Sequence, residues 1–130
     1  MSPTNVEIVK RLFERPPEAE LPSLLDPEIE IYDYDLPDAG VYRGHEGFAR
    51  YLADWEGPWH DWSWTVEEML ESGDQVTALF SITARSASGA ETTRRSGIVL
   101  TLRSGRIVRF EYFTTQDEAR AAAAIPSSSG

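Results

Sequence analysis

The sequence holds 130 residues, with 12 basic against 22 acidic side chains, a formal net charge of −10 and no cysteine. That length suits one domain with a sizeable core. The acidic excess disfavours phosphate backbones and anionic lipid, so neither nucleic acid nor membrane is an expected partner. The absence of thiols excludes disulfides, thiolate metal sites and a cysteine nucleophile, and fits a cytoplasmic protein. Met1-Ser2-Pro3-Thr4-Asn5 carries no leader pattern, and the apolar runs are far shorter than the roughly 20 residues that span a bilayer.

In chain order, residues 5–14 predict a helix. Val6, Val9, Leu12 and Phe13 recur at helical spacing, Thr4 or Asn5 can cap the start, and Pro16-Pro17 stops it. Residues 18–25 predict a short second helix interrupted by Pro22. Residues 28–34 alternate at period two, predicting a half-buried strand whose apolar face carries Ile29, Ile31 and then Asp33. A loop follows over 35–43, rich in Pro, Asp and Gly. Residues 44–55 predict a third helix with Phe48, Tyr51, Leu52 and Trp55 on one side, ended by Gly57-Pro58. Four strands follow, at 61–71, 75–85, 91–102 and 106–114, joined by short turns that imply antiparallel hairpins. A last helix is expected over 116–124. The expected organisation is a single domain over residues 1–125 with a flexible tail at 126–130.

The order helix, helix, strand, helix and four antiparallel strands gives an α+β fold with its helices on one face of the sheet. Several segments carry a family resemblance. The run Tyr42-Arg43-Gly44-His45-Glu46-Gly47-Phe48 resembles a Y-x-G-x-E-x-hydrophobic segment of SnoaL-like proteins. The run from Val66 to Val76 resembles their E-E-hydrophobic-x-x-x-G-D-x-V hairpin. Ser104-Gly105-Arg106-Ile107-Val108-Arg109-Phe110-Glu111 resembles their final D-G-K-I-x-R-x-E strand, and Gln116-Asp117-Glu118-Ala119 their closing helix. Together these cover about residues 5–124. The resemblance implies membership of the SnoaL-like branch of the nuclear-transport-factor-2-like superfamily. Its expected fold is a cone, a curved antiparallel sheet wrapped around N-terminal helices with one hydrophobic pocket. Ketosteroid isomerases, polyketide cyclases, dehydratases and non-catalytic binding domains share that fold, so it does not settle function.

Asp33 is the foremost candidate. It shares a strand face with Ile29 and Ile31, and Ile31-Tyr32-Asp33 resembles the strand end that bears the base of ketosteroid isomerases. A carboxylate among apolar walls suits general-base work; the plainer reading is an Asp that caps the loop before Pro37. A one-residue bulge would turn Tyr32 and Tyr34 inward instead. Arg94 shares a face with Ser96, Ile98 and Leu100. Facing inward it would be a buried cation needing Asp33, Glu68 or an anionic ligand; facing outward it is a surface arginine.

On the last strand Val108, Phe110 and Tyr112 are expected in the core. The resemblance places Tyr112, Phe80 and Ile82 where epoxide hydrolases of this fold carry Asp, Arg and Asp, and Ile98 where isomerases carry a protonated Asp, so neither reaction is expected in its usual form. Trp55, Trp59, Trp62 and Trp64 form an aromatic cluster that suits a pocket wall, an interface or plain core packing. His60 could titrate near neutrality but sits between tryptophans, and His45 is expected to be exposed. The two histidines and their surroundings give no metal-ligand pattern.

Two functions follow. One is a cofactor-free isomerase, cyclase or dehydratase acting on a small apolar, ring-containing molecule, with Asp33 as base and Tyr32, Tyr34, Tyr112 or Arg94 steadying developing oxyanion charge. The pocket would be lined by Tyr32, Tyr34, Trp55, Trp59, Trp62, Trp64, Phe80, Ile82, Ile98 and Phe110. The other is a non-catalytic ligand-binding or assembly domain. The resemblance also implies a homodimer, formed through a sheet face bearing Gly97, Val99 and Thr101.

Overall fold

The computed structural model describes residues 4–14, 18–34, 41–56, 61–86 and 88–123. Its elements are α1 (Asn5–Phe13), α2 (Leu21–Leu24), β1 (Leu25–Asp33), β2 (Val41–Arg43), α3 (Gly44–Glu56), β3 (Asp61–Ser72), β4 (Gln75–Arg85), β5 (Glu91–Arg103), β6 (Arg106–Phe113) and α4 (Gln116–Ala122). The expected tail, the loop tip at 35–40 and the segment 57–60 lie outside the described residues.

Thr4 caps α1, its hydroxyl accepting from the Glu7 N–H at 3.2 Å. The helix then buries Ile8, Val9, Leu12 and Phe13. Pro22 falls in the first turn of α2, where a missing N–H costs nothing. Strand β1 begins three residues earlier than expected, at Leu25, and its pairing shifts between Leu25 and Glu30 around Pro27. From Ile29 on the expected alternation holds, with Ile29, Ile31 and Asp33 all buried.

The six strands form one curved, unclosed sheet in the order β2-β1-β6-β5-β4-β3. Strands β3 to β6 are a meander of antiparallel hairpins, as the short turns predict. At the β5–β6 turn Ser104 and Gly105 both take positive φ, 53° and 78°, the geometry of a two-residue hairpin turn. Two features differ from expectation. Residues 41–43, read as loop, pair with β1 as an edge strand (Ile31 opposite Tyr42). Strand β1 also runs parallel to β6, with Ile31 opposite Phe110 and Asp33 opposite Tyr112. A three-residue strand is too short to show period-two alternation, and a parallel pairing between distant segments leaves no local trace.

Bulges reset which residues face the core. A register shift between Thr101 and Leu102 places Leu102 opposite Ile107, so Ile107 is fully buried and Val108, expected inside, is only half-buried. A second shift between Val66 and Glu68 keeps Trp64, Val66 and Met69 against the main core although their numbers change parity.

The helices do not share one face. Helices α1, α2 and α3 pack on the inner face around Ile29, Ile31, Val76, Phe80, Leu100 and Phe110. Helix α4 lies on the outer face, where Ala119 and Ala123 cover Leu79 and Val99. Gly97 makes this possible, because a Cβ there would stand 2.5 Å from that of Ala119. The face bearing Gly97 and Val99, from which a dimer was expected, is therefore occupied at that point by the chain's own helix.

Candidate functional site

The inner face at the C-terminal end of β1 is polar where its neighbours are apolar. Asp33 is 2% exposed, and the Tyr51 hydroxyl donates to its Oδ2 at 2.7 Å. Tyr51 reaches it because α3 packs on β1 with Phe48 and Tyr51 inward. Burial first, then the charge and hydrogen bond of Asp33, push the Tyr51 hydroxyl well above the usual tyrosine range, with Tyr112 and Tyr42 adding to the effect. Tyr51 therefore stays protonated and remains a donor, replacing part of the water the carboxylate lost on burial.

The strand register sets the surroundings. Asp33 lies beside Tyr112, which lies beside Ile98. The Tyr112 hydroxyl donates to Ser96 Oγ at 3.0 Å, and Ser96 donates on to the Thr114 carbonyl at 3.1 Å. Rings pack around the two tyrosines: Tyr42 stands 5.2 Å and Phe110 5.8 Å from Tyr51, and Phe80 stands 6.2 Å from Tyr112. A carboxylate held among aromatic rings by a neutral phenol can accept a proton from a carbon acid, or bind a hydroxyl or a cation.

The structure gathers Asp33, Tyr112, Phe80, Ile82, Ile98 and Phe110 on the inner face, all buried. Trp64 is half-buried on the same face, its Nε1 donating to the Phe13 carbonyl at 3.2 Å. Tyr32 and Tyr34 point the other way. They stack at 6.2 Å on the outer face, with the Arg109 guanidinium 4.7 Å from the Tyr32 ring and Tyr34 bonded to Glu111 at 3.0 Å. Neither can line a site at Asp33. Burial and its bond to Glu111 hold the Tyr34 hydroxyl above the usual tyrosine range.

Arg94 does share the parity of Ser96 and Ile98 and pairs with Ile82, but it lies at the exposed end of β5 and is not a buried cation. Its distance along the strand decides this, not its face. The side chains of Trp55, Trp59 and Trp62, and His60 as well, fall outside the described residues. His45 is half-buried, its Nε2 2.9 Å from the Leu25 carbonyl, rather than exposed.

Tyr51 and Ser96 were not singled out from sequence as site residues. Tyr51 is the polar-tipped member of the apolar stripe of α3, and a buried phenol needs a partner, which was the available signal. Among the described residues no group of three or more His, Asp and Glu is placed to hold a metal ion, and no helix is long and apolar enough to cross a membrane.

A curved mixed sheet folded over N-terminal helices is the architecture of the nuclear-transport-factor-2-like proteins. Within them, the SnoaL-like domain family matches residues 9–110, and the chain belongs to it. No curated protein matches the sequence.

Solved structures share the fold at low identity. An NTF2-like protein of unknown function from Burkholderia pseudomallei K96243 superposes with a TM-score of 0.76 at 19% identity, over 90% of this chain and 95% of its own. TerC, co-crystallised with polyporic acid, gives 0.72 at 20% identity over 92% and 98%. A protein with a ketosteroid isomerase-like fold from Catenulispora acidiphila DSM 44928, in complex with trimethylamine, gives 0.69 at 14% identity over 97% and 96%. At these identities the likeness is one of fold.

Proposed function

We propose that the chain binds a small, ring-containing molecule against Asp33 and uses that carboxylate to move a proton on it, in an isomerisation, cyclisation or dehydration without cofactor. One observation carries the reading: a buried carboxylate, braced by the Tyr51 hydroxyl at 2.7 Å, stands among aromatic side chains. Such an acid is costly to bury, and a structural role alone would be served by an apolar residue of similar size. Family membership and the ring-bearing ligand of TerC support the substrate class.

A second reading, a binding domain without chemistry, is favoured by where the hydroxyls point. Tyr51 donates to Asp33 and Tyr112 to Ser96, so both phenol protons are engaged and Ile98 supplies none for a developing oxyanion.

Deuterium exchange separates the two. Enolisable ring ketones such as 2-tetralone are incubated with the protein in D₂O, and loss of the α-C–H signals is followed by NMR. The catalytic reading expects acceleration that falls about 10²-fold or more in Asp33→Asn with the fold retained. Exchange unchanged by Asp33→Asn, or absent while a ring ligand binds, would leave the binding reading.

A further inference from the structure

The two edges of the sheet are guarded differently. Strand β2 closes one edge with three residues, too short to template another chain. Strand β3 closes the other with twelve, and no strand among the described residues lies on its far side. It holds neither proline nor lysine, two common guards of a sheet edge. Its guards are the bulge between Val66 and Glu68 and the acids Asp61, Glu67, Glu68 and Glu71. Acids on an edge repel a second copy of the same strand, but not a strand that carries the opposite charge.

Past the bulge the run Glu68–Ser72 is regular, and its register fixes where the backbone groups point. Ser72 pairs with Gln75 across the two-residue turn of Gly73 and Asp74. The pair that flanks such a turn exchanges both of its hydrogen bonds, and bonded and non-bonded pairs then alternate along the ladder. Leu70, opposite Thr77, is therefore bonded to β4, whereas Glu71 and Met69, opposite Val76 and Ala78, are not. The N–H and C=O groups of Met69 and Glu71 point away from the sheet, and no backbone group elsewhere among the described residues bonds to them.

A cavity of about 620 Å³ lies beside this edge, between β3 and α1. Val6, Val66 and Met69 give it apolar walls, and Lys10 and Glu14 bring one charge of each sign on the helix side. Arg95 and Arg120 hold Glu67 and Glu68 at 2.6 and 3.1 Å, while Glu71 makes no ion pair among the described residues. We propose that β3 takes up an extended segment of another protein as a seventh strand. The segment bonds to the backbone of Met69 and Glu71, turns apolar side chains toward the cavity and carries basic side chains over the acids of the edge. The net charge of −10 steers a basic segment toward the chain and opposes an acidic one. A second copy fits poorly, because β3 against β3 sets acids opposite acids. The edge lies four strands away from β1, which bears Asp33, so the two sites are separate.

The probe is a short acetylated peptide amide alternating valine and lysine, titrated into the full chain by calorimetry and followed by amide hydrogen exchange. Binding should slow exchange at Met69 and Glu71 at least about fivefold and leave Leu70 and Ser72, already bonded to β4, little changed. A lysine–proline peptide of the same charge cannot form a strand, and it should bind at least about tenfold more weakly. A valine–glutamate peptide should lose at least as much. In the protein, Glu71→Pro removes one outward N–H without breaking the β4 ladder and should weaken binding at least about tenfold. Glu71→Ala removes the same carboxylate and should bind within about threefold of the parent. No binding at millimolar valine–lysine peptide, equal binding of the lysine–proline peptide, protection confined to other strands, or a folded Glu71→Pro that binds as the parent does would each overturn the proposal. Should Glu71→Pro fail to fold, the exchange pattern and the lysine–proline peptide decide it.

Discussion

Replacing Gly97 by alanine should loosen α4 from the sheet. The added methyl would stand 2.5 Å from Ala119 Cβ and 3.2 Å from Leu79 Cδ2. Unstrained carbons rest at about 3.5–4.0 Å, so more than about 1 Å must come from movement. Leu79 can turn its terminal methyls aside. Ala119 cannot, because its Cβ is fixed to the helix backbone, so α4 must lift or the sheet must bend. Overpacking of this kind costs about 1–3 kcal/mol. At about 2 kcal/mol, the melting midpoint of a domain this size falls by roughly 6–10 °C.

Calorimetry or a circular-dichroism melt reads this directly. Adding Ala119→Gly removes the colliding atom and should recover the steric part of the loss, against a cost of about 1 kcal/mol for glycine within a helix. A midpoint for Gly97→Ala equal to or above the wild-type value would refute the reasoning. Alanine would then be acting only through its better backbone behaviour in a strand.

Tyr51→Phe removes the hydroxyl donor from a carboxylate that is 2% exposed and should cost about 2–3 kcal/mol by urea titration; a variant as stable as the parent would mean that Asp33 is held without it. Because the Tyr51 pKa is raised in the fold, its contribution is fully present below the ordinary tyrosine value near 10 and is lost as pH rises above it. Melting temperatures from pH 9 to 11 should fall, less steeply in Tyr51→Phe. Glu20 and Glu67 are held below the usual carboxylate range by Arg11 and Arg95, so their contribution is present above that range and lost as pH falls through it. Glu67 is exposed and Glu20 half-buried at the surface, where solvent screens both pairs, and the joint variant Glu20→Gln, Glu67→Gln should flatten the acid limb only slightly. Thr115→Ala deletes the α4 cap, whose hydroxyl accepts from the Glu118 N–H at 3.2 Å and donates to the Glu118 carboxylate at 2.9 Å. About 1 kcal/mol should be lost, with faster hydrogen exchange at Ala119 and Ala123.

The inner placement of Asp33 was legible because alternation from Ile29 to Asp33 is a local property, undisturbed past Glu30. The same logic failed at Val108, where a bulge that leaves no mark in the residues exchanged it for Ile107. It also left Arg94 undecided, since parity reports a face and not how far along the strand the core extends. The place of α4 was missed because its small apolar stripe is short and fits either sheet face. Only the approach of Gly97 to Ala119 distinguishes them. The partner of Asp33 was hidden for a different reason: Tyr51 lies 18 residues away on another element, and tertiary packing alone brings the two together.

The parallel pairing of β1 with β6 fixes an order of events during synthesis. The meander from β3 to β5 can close as each hairpin emerges, but β1 lacks its inner neighbour until β6 has been made. Until then Ile29 and Ile31 have no strand on that side, and Asp33 has no Tyr112 beside it. Ribosome-bound chains halted before residue 106 should leave β1 open to protease, and protection should appear only once β6 is released. The carboxylate at the end of the first strand is thus sealed only by a strand made after the whole β3–β5 meander.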